Sequence, residues 1–337
     1  MYSIKLKQVI LHILDNNHAE PILSAGELFL ERDVEEFLEK HLSRVLNDGE
    51  LKDAYFDTND NPVLQLLKGI GQDGPNFVDA SRELANRLFS IMYQNPEIPS
   101  GDVICCTFDL EEAPYFAVLK LNYRNSYIHY VSNTADGNVN NLVKQKTALP
   151  GESQRVDECV IANLGNLNLK LLEKQYTIDG KKEYYLSKSF LKCRSELSCL
   201  QKIKILDKAV GKITKTHLSE DFDKVTKLRS NLAESLEESS EVKVREIAEA
   251  VFGHNTAFKE EYLAEVKKAG LVEEAFVVPE TNTAKKKFRT QKLKTDIGIE
   301  INFPSHFYND KDVIEFINNP DGSISILIKN VNKVMNK

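Results

Sequence analysis

The sequence predicts an α+β fold with two domains, and three observations lead to this prediction. A length of 337 residues suffices for two domains of ordinary size, each with its own core. Apolar residues at 42% and charged residues at 28% lie near the average of folded globular proteins. Helical patterns precede an uninterrupted run of strand patterns, which favours α+β over alternating βαβ units. We place the two domains at residues 1–186 and 187–337.

The first domain is predicted to begin with a strand and three helices. Apolar residues alternate loosely from Ile4 to Leu14, which is typical of a strand. From Val34 to Leu46 they recur at helical spacing, with His41 on the apolar stripe as a partly buried structural histidine. A shorter helix follows from Asn61 to about Lys68, and an amphipathic helix extends from Phe77 to Tyr93.

The rest of this domain is predicted to be strand. Three strands separated by short polar turns indicate an antiparallel meander: Val103 to Phe108, Tyr115 to Asn122 and Tyr127 to Ser132. The stretch from Ala135 to Arg155 is rich in Asn and Gly and is predicted to be a loop or a loosely held excursion around Leu142 to Lys146. Further strands are expected at Val156 to Asn163, Asn168 to Tyr176 and Tyr184 to Leu186.

The second domain is predicted to be helical first and β-rich at its end. Helices are expected at Leu197 to Ile213, Asp221 to Leu236, Val242 to Phe252 and Ala257 to Ala269. Strands are expected at Ala275 to Val278, Lys287 to Leu293, Ile297 to Phe303 and Ser323 to Lys329.

The charge of the chain is unevenly distributed. The net charge is −7, and residues 1–150 hold 13 bases against 22 acids, whereas residues 281–337 hold 10 against 6. Six cations lie within ten residues that contain no acid: Lys285, Lys286, Lys287, Arg289, Lys292 and Lys294. Such a local positive field suits a polyanion, either nucleic acid or anionic lipid, although a solvated strand would have the same composition.

If this basic run is a strand, its cations divide between two faces. Lys285, Lys287 and Arg289 would share one face, and Lys292 and Lys294 would also share a face. Clustered lysines give point-charge contacts to phosphate and little base reading, so binding would have low sequence specificity.

The sequence gives little support for catalysis, a metal or a cofactor. Gly69 to Gly74 lacks the Lys-Ser/Thr of a phosphate-binding loop. For a divalent-metal nuclease, Asp109 and Glu112 precede a strand, but Lys120 lies eight residues beyond Glu112 and does not fit the required spacing. The seven histidines form no His-x-x-x-His pair. We therefore predict a protein that is not an enzyme and has no metal or cofactor.

Cysteine content and hydropathy bear on the compartment. Five cysteines, an odd number, indicate a reducing compartment, and we expect the cytoplasm. Cys193 and Cys199 are six positions apart, unlike a zinc knuckle, and burial as small apolar side chains is the commoner role. No stretch is apolar enough to span a bilayer, and lysines within the first 14 residues are unlike a signal peptide.

One pair of predicted helices has the helix lengths and the short intervening turn of a helix-turn-helix. Val242 to Phe252 and Ala257 to Ala269 are joined by a short turn that contains Gly253. The second helix carries Glu260, Glu261 and Glu265, which would repel phosphates if they faced DNA. Ordinary helix packing is the alternative interpretation.

The C-terminal sequence resembles that of a known family. Residues Thr295 to Pro304 (TDIGIEINFP) and Asp321 to Asn330 (DGSISILIKN) resemble the bacterial nucleoid-associated protein family, as do Val9 to Leu14 and Phe77 to Tyr93. The resemblance implies a cytoplasmic protein of the nucleoid that binds double-stranded DNA, forms a homo-oligomer such as a dimer, organises the chromosome and has no established active site.

Three functions are compatible with these observations. The first is non-enzymatic DNA binding in which the basic run supplies most of the phosphate contacts. The second is a scaffold whose acidic N-terminal domain docks a DNA-processing protein, and the third is a divalent-metal nuclease that rests only on unpaired carboxylates.

Overall fold

The computed structural model divides the chain into two units. Unit 1 consists of Met1–Asn47 and Leu51–Glu196, and unit 2 consists of Asp48–Glu50 and Leu197–Lys337. Helices and antiparallel strands occur in both, which confirms the α+β prediction. The predicted boundary between residues 186 and 187 stays a prediction. The structure describes residues 3–71, 77–135, 137–217, 228, 231–232, 234–236, 240–279, 282–288, 290–333 and 335.

An antiparallel sheet of eight strands forms the centre of unit 1. Its strand order is β12-β3-β9-β8-β5-β4-β1-β2, and every neighbouring pair is antiparallel. The strands are β1 (Ile4–Leu14), β2 (Ile22–Leu23), β3 (Lys52–Phe56), β4 (Gly101–Leu110), β5 (Ala113–Asn122), β8 (Glu158–Asn163), β9 (Leu169–Leu172) and β12 (Cys193–Ser195).

Helices cover both faces of this sheet, so its central strands are buried on both sides. Helix α1 (Arg32–Leu46) packs on one face, and α2 (Pro62–Gly71) and α3 (Phe77–Gln94) pack on the other. Alternate residues of β4 point to opposite cores: Cys106 lies with α1, and Cys105 lies with α2 and α3. This explains the continuous apolar run in β4. Cys105 and Cys106 are fully buried, whereas Cys193 and Cys199 are only partly buried.

The predicted loop between Ala135 and Arg155 is wrong for residues 137–148 and right for residues 149–155. Strand β7 (Gly137–Ala148) pairs antiparallel with β6 (Arg124–Thr134), and the two strands pair only with each other among the described strands. We call residues 124–148 the ribbon. Its strands are exposed on both faces, so β7 shows no apolar periodicity that would reveal a strand. The predicted meander is therefore reduced to the β4–β5 hairpin.

The end of unit 1 also differs from the prediction. Strands β10 (Tyr176–Ile178) and β11 (Lys181–Glu183) form a short hairpin, and the expected strand from Tyr184 to Leu186 is absent among the described residues. A π-helix, Leu186–Leu191, occupies this segment instead. Its Phe190 and Leu191 are buried in the core beneath α2 and α3, and this packing outweighs the local strand propensity.

Two ion pairs are buried among the described residues of unit 1. Lys120 Nζ lies 2.9 Å from Glu158 Oε2, and their side chains are 2% and 0% exposed. Lys52 Nζ lies 3.0 Å from Glu173 Oε1 with similar burial. The Glu158 carboxylate also accepts a hydrogen bond from Tyr176 OH at 3.2 Å. Each buried charge therefore has an opposite charge as its partner, as burial requires.

Unit 2 begins with helices that form a separate core. Helix α4 (Cys199–His217), α5 (Val244–Phe252) and α6 (Thr256–Lys268) confirm three of the four predicted helices. Most of the fourth, Asp221 to Leu236, lies outside the described residues, but Leu228, Leu232 and Leu236 are described and buried in this core. Among the described helices of the chain, none is long and apolar enough to cross a membrane.

The other described elements of unit 2 are pairs of antiparallel strands and short helices. Helix α7 (Thr283–Phe288) and a 3-10 helix (Ser305–Asn309) accompany three antiparallel pairs. These pairs are β13 (Glu241–Lys243) with β14 (Ala275–Val277), β15 (Thr290–Lys294) with β16 (Glu300–Pro304), and β17 (Ile314–Asn318) with β18 (Ile324–Ile328). The predicted strand from Lys287 to Leu293 is wrong in its first half, because Lys287 belongs to helix α7.

Candidate nucleic-acid interface

The basic run spans a helix and a strand, and its first cation is buried. Asn282 begins α7 by accepting a hydrogen bond from the Ala284 backbone N at 2.9 Å. One residue later, Lys285 is only 2% exposed, and its Nζ lies 3.2 Å from Ser240 Oγ. In this conformation Lys285 therefore contributes to the interior of unit 2 and does not present its charge at the surface.

The helix also changes how the next cations are arranged. Successive side chains turn by about 100° in a helix and by about 180° in a strand, so Lys285 and Lys287 do not share a face as a strand would require. The side chains of Lys286 and Lys287 lie outside the described part of the structure, as does Arg289 altogether.

Strand β15 places the last two cations side by side on an exposed face. Lys292 and Lys294 are exposed, whereas Gln291 and Leu293 between them point inward. The prediction that Lys292 and Lys294 share a face is thus confirmed. Lys294 Nζ lies 3.2 Å from Glu300 Oε1 across the hairpin, with both side chains about two-thirds exposed. Among the described residues, Lys292 has no carboxylate partner.

This arrangement favours contact with phosphate over reading of bases. An exposed surface ion pair is worth little, so Lys294 can exchange Glu300 for a phosphate at small cost. Lysine ammonium groups act as point charges and lack the planar fork with which arginine recognises guanine. The exposed face of β15 is therefore suited to the DNA backbone.

Two glutamates of the helix pair contact protein, as the interpretation of ordinary helix packing predicts. In α6, Glu265 lies 2.7 Å from Lys212 of α4, and Glu261 lies 2.9 Å from His217. The hydrogen bond from Lys212 holds the pKa of Glu265 below its usual value. Tyr262 of α6 is buried in the unit 2 core. The pair therefore packs on α4 as ordinary helices do.

Two lysines at the end of α6 lie outside the basic run. Lys267 and Lys268 are exposed in the last turn, and the α6 glutamates on the α4 side already contact Lys212 and His217. These lysines add positive charge near the helix C-terminus, where it is favourable. Lys268 lies on the same face of α6 as Glu261 and Glu265, three residues beyond Glu265, and its charge also lowers the pKa of Glu265.

The carboxylates considered for a nuclease are not brought together. Asp109 forms an ion pair with Lys7 at 2.7 Å, and it pairs with Pro114 at the opposite end of β5 from Lys120. Lys120 instead contacts Glu158 in the interior. Within the part of the chain that the structure describes, no three His, Cys, Asp or Glu residues are grouped so that they could hold a metal ion.

The fold and these surfaces define a two-unit α+β protein with exposed cations on its second unit. The family model of the nucleoid-associated protein YejK matches residues 10–336, and the chain belongs to this family. The resemblance seen in the sequence is thereby confirmed over nearly its whole length. Family membership gives the protein a nucleoid-associated role in bacteria. No curated protein matched the chain.

Proposed function

We propose that the protein binds double-stranded DNA directly, without catalysing a reaction, and that it contacts the DNA backbone with low sequence specificity. The observation that carries this proposal is the basic run, in which Lys292 and Lys294 lie on one exposed face of β15. Lys286, Lys287 and Arg289 precede them with no acid between. Family membership supports the choice of DNA over anionic lipid as the polyanion.

The number of engaged cations sets the expected salt dependence. Each neutralised phosphate of B-DNA contributes about −0.9 to the slope of log affinity against log salt. With Lys285 buried, five cations remain, and full engagement gives a slope of about −4.5. A variant with Lys292→Gln and Lys294→Gln should bind all sequences more weakly and lose about 1.8 of that slope. Both side chains are exposed, so the fold should be unaffected.

A matched control variant distinguishes the loss of specific phosphate contacts from the loss of net positive charge. Lys181 and Lys182 of β11 are exposed in unit 1, and changing both to Gln removes the same charge. Fluorescence anisotropy with duplexes of different sequence, titrated against salt, measures affinity and slope. The control should behave like the parent protein. If affinity and salt slope changed equally in the two variants, or changed in neither, β15 would not be a DNA contact.

The absence of catalysis has its own test. We expect the purified protein to leave supercoiled and linear DNA intact during long incubation with Mg²⁺ or Mn²⁺. Cleavage that survives purification to homogeneity would contradict this part of the proposal and would favour the divalent-metal nuclease.

A second candidate function is a scaffold that docks a basic region of a DNA-processing protein on unit 1. The observation that favours it is the crowding of acidic residues on α1. Burial is the main cause that raises the pKa of Glu39, and the negative charges of Glu35 and Glu36 raise it further. Affinity capture from nuclease-treated lysate would compare the full-length parent with a Glu35→Gln/Glu36→Gln variant. A DNA-processing protein captured by both equally, or by neither, would contradict this function.

A further inference from the structure

A cleft in unit 1 lies where helices α2 and α3 meet the π-helix Leu186–Leu191, and we call it the π-helix cleft. It has a volume of about 320 Å³ and an apolar floor. Val63 of α2 and Phe190 of the π-helix are 3% and 5% exposed, and Ile91 of α3 is half-buried. Sites for small molecules combine such an apolar lining with a few polar groups, and their volumes begin at about 300 Å³.

A buried asparagine holds the walls of the π-helix cleft together. Asn61 is 4% exposed, and its Nδ2 donates a hydrogen bond to the Leu191 carbonyl oxygen at 2.7 Å. Its Oδ1 accepts hydrogen bonds from the backbone N of Val63 at 2.9 Å and of Leu64 at 3.2 Å. One side chain thus joins the start of α2 to the end of the π-helix. A cleft that is fixed in this way loses little freedom when a ligand enters.

Two cations and a hydroxyl line the π-helix cleft, and none of the described residues on its lining is acidic. Arg87 comes from α3, Ser189 lies on the π-helix, and Lys192 follows it. Among the described residues, Lys192 has no carboxylate partner and the Ser189 hydroxyl has no hydrogen-bond partner. Arg87 Nη2 lies 2.7 Å from Glu83 Oε1, but these side chains are 43% and 44% exposed. Such an exposed ion pair can be exchanged for another anion at small cost.

Lys192 has a backbone conformation that glycine adopts more easily. Its φ of 48° and ψ of 60° lie in the left-handed region, and its backbone N donates a hydrogen bond to the Ser187 carbonyl oxygen at the end of the π-helix. Glycine would avoid the Cβ penalty, so a lysine here is retained at some cost to stability. Residues held in this way cluster at ligand sites, and π-helices are frequent at functional sites. Both features coincide at this cleft.

We propose that the π-helix cleft binds a small phosphate monoester with an aromatic or apolar body, such as a nucleoside monophosphate. A phosphate monoester carries a charge of about −1.5 to −2 at neutral pH, which two cations balance, whereas a carboxylate would leave one cation unpaired. The guanidinium fork of Arg87 can bind two phosphate oxygens, with Lys192 as a point charge and Ser189 as a neutral donor. The body of the ligand lies on the apolar floor.

A DNA duplex is a poorer occupant of the π-helix cleft than a small ligand. The volume of the cleft equals that of a cube with an edge of about 7 Å, whereas the major groove of DNA alone is about 12 Å wide. The cleft can therefore admit a phosphate ester but not two paired strands. The inference goes beyond the proposed DNA contact, which lies on β15 of unit 2.

Isothermal titration calorimetry of the full-length protein tests the proposal. The probes are adenosine monophosphate, phenyl phosphate, adenosine and inorganic phosphate. Adenosine monophosphate should bind with a Kd in the millimolar range or below. Adenosine and inorganic phosphate should bind at least roughly 10-fold more weakly, because each lacks one half of the ligand. Phenyl phosphate distinguishes the sources of this chemistry: equal binding supports a site for any aromatic phosphate, and weaker binding supports a site for nucleotides.

Substitutions test whether the phosphate lies in the π-helix cleft. Arg87→Gln and Lys192→Gln should each weaken binding of adenosine monophosphate by roughly 10-fold or more, because each removes a charge-assisted hydrogen bond. Lys188→Gln is the matched control, because Lys188 is exposed on the same π-helix but does not line the cleft. This control should bind like the parent protein. Circular dichroism should be unchanged in all three variants, since their side chains are exposed.

Lys192→Gly distinguishes a ligand contact from a role in the fold. The variant relieves the left-handed backbone, so it should raise the melting temperature while it weakens binding as Lys192→Gln does. A lower melting temperature with unchanged binding would mean that Lys192 serves the fold alone, and this would contradict the proposal.

Three other results would overturn the proposal. They are no heat of binding with either phosphate ester at millimolar concentration, equal binding of adenosine and adenosine monophosphate, and binding that survives both Arg87→Gln and Lys192→Gln. If binding were instead lost in the Lys292→Gln/Lys294→Gln variant, the phosphate would belong to the basic run. Binding of adenosine monophosphate that persists in that variant while DNA binding weakens supports a separate site. Failure of this proposal can therefore be told apart from failure of the proposed DNA contact.

Discussion

His12 should make the stability of unit 1 sensitive to mild acid. It lies in β1 and is fully buried, with Nε2 3.1 Å from Ser81 Oγ of α3. The Ser24 backbone N donates a hydrogen bond to Nδ1 at 3.2 Å, so Nδ1 carries no proton and the ring is neutral. Burial, followed by the nearby charge of Arg82, lowers the pKa of His12 to about 4.

The sign and size of the effect follow from proton binding in the two states. An unfolded histidine has a pKa of about 6.5, so the unfolded state takes up a proton between about pH 6.5 and about pH 4 while folded His12 does not. The free energy of unfolding is therefore fully retained above this window and falls as the pH is lowered through it. The loss from His12 is on the order of 2–3 kcal/mol by about pH 4.

Urea unfolding of the parent and of His12→Gln across this pH range measures the contribution of His12 to the pH dependence of stability. The variant should be less stable at neutral pH, because it loses packing and hydrogen bonds, but its stability should fall less steeply with acid. The two curves should converge as the pH approaches 4. His254→Gln, in the exposed turn between α5 and α6, is the control and should keep the parental pH dependence. Parallel curves for the parent and His12→Gln would refute the reasoning.

Two further predictions concern the packing of the sheet. Glu158→Gln should lower the free energy of unfolding by about 3–5 kcal/mol, measured by urea denaturation, because it leaves the buried Lys120 ammonium without a counter-charge. A Cβ at position 101 would lie 2.5 Å from the Leu121 carbonyl oxygen, so Gly101→Ala should lower the melting temperature and cost about 1–3 kcal/mol. Gly26→Ala meets no atom within 4 Å and should be close to neutral in the same assays.

Helices with one buried face were predictable from the sequence. Helices α1 and α3 were placed within about two residues of their observed bounds, because burial of one stripe leaves a strong periodic signal. Strand β1, which is buried on both faces, was placed equally well by its run of apolar residues. His41 was likewise expected on the apolar stripe of α1, and it is fully buried there. In these segments local pattern and tertiary packing agree.

Other segments could not be predicted because tertiary context overrides their pattern. Strand β7 is exposed on both faces, and strand β3 carries Lys52, whose burial depends on its distant partner Glu173. The basic run was considered as extended, with a strand from Lys287 to Leu293, whereas Thr283–Phe288 is helical and Ala284 and Lys285 are buried. Sequence spacing contains no information about such partners.

Counting charges along the sequence overestimates the positive charge that the basic run presents at the surface. The number of phosphate contacts expected with DNA is therefore smaller than the count suggests. Lys285 is buried, and Lys294 is partly neutralised by Glu300, so the six cations of the basic run do not act as six surface charges. If all six engaged phosphates, the salt slope would be about −5.4, whereas five give about −4.5. A measured slope near −2 would mean that Lys292 and Lys294 carry most of the contact. The slope therefore reports how much of the run reaches DNA, which the charge count alone does not.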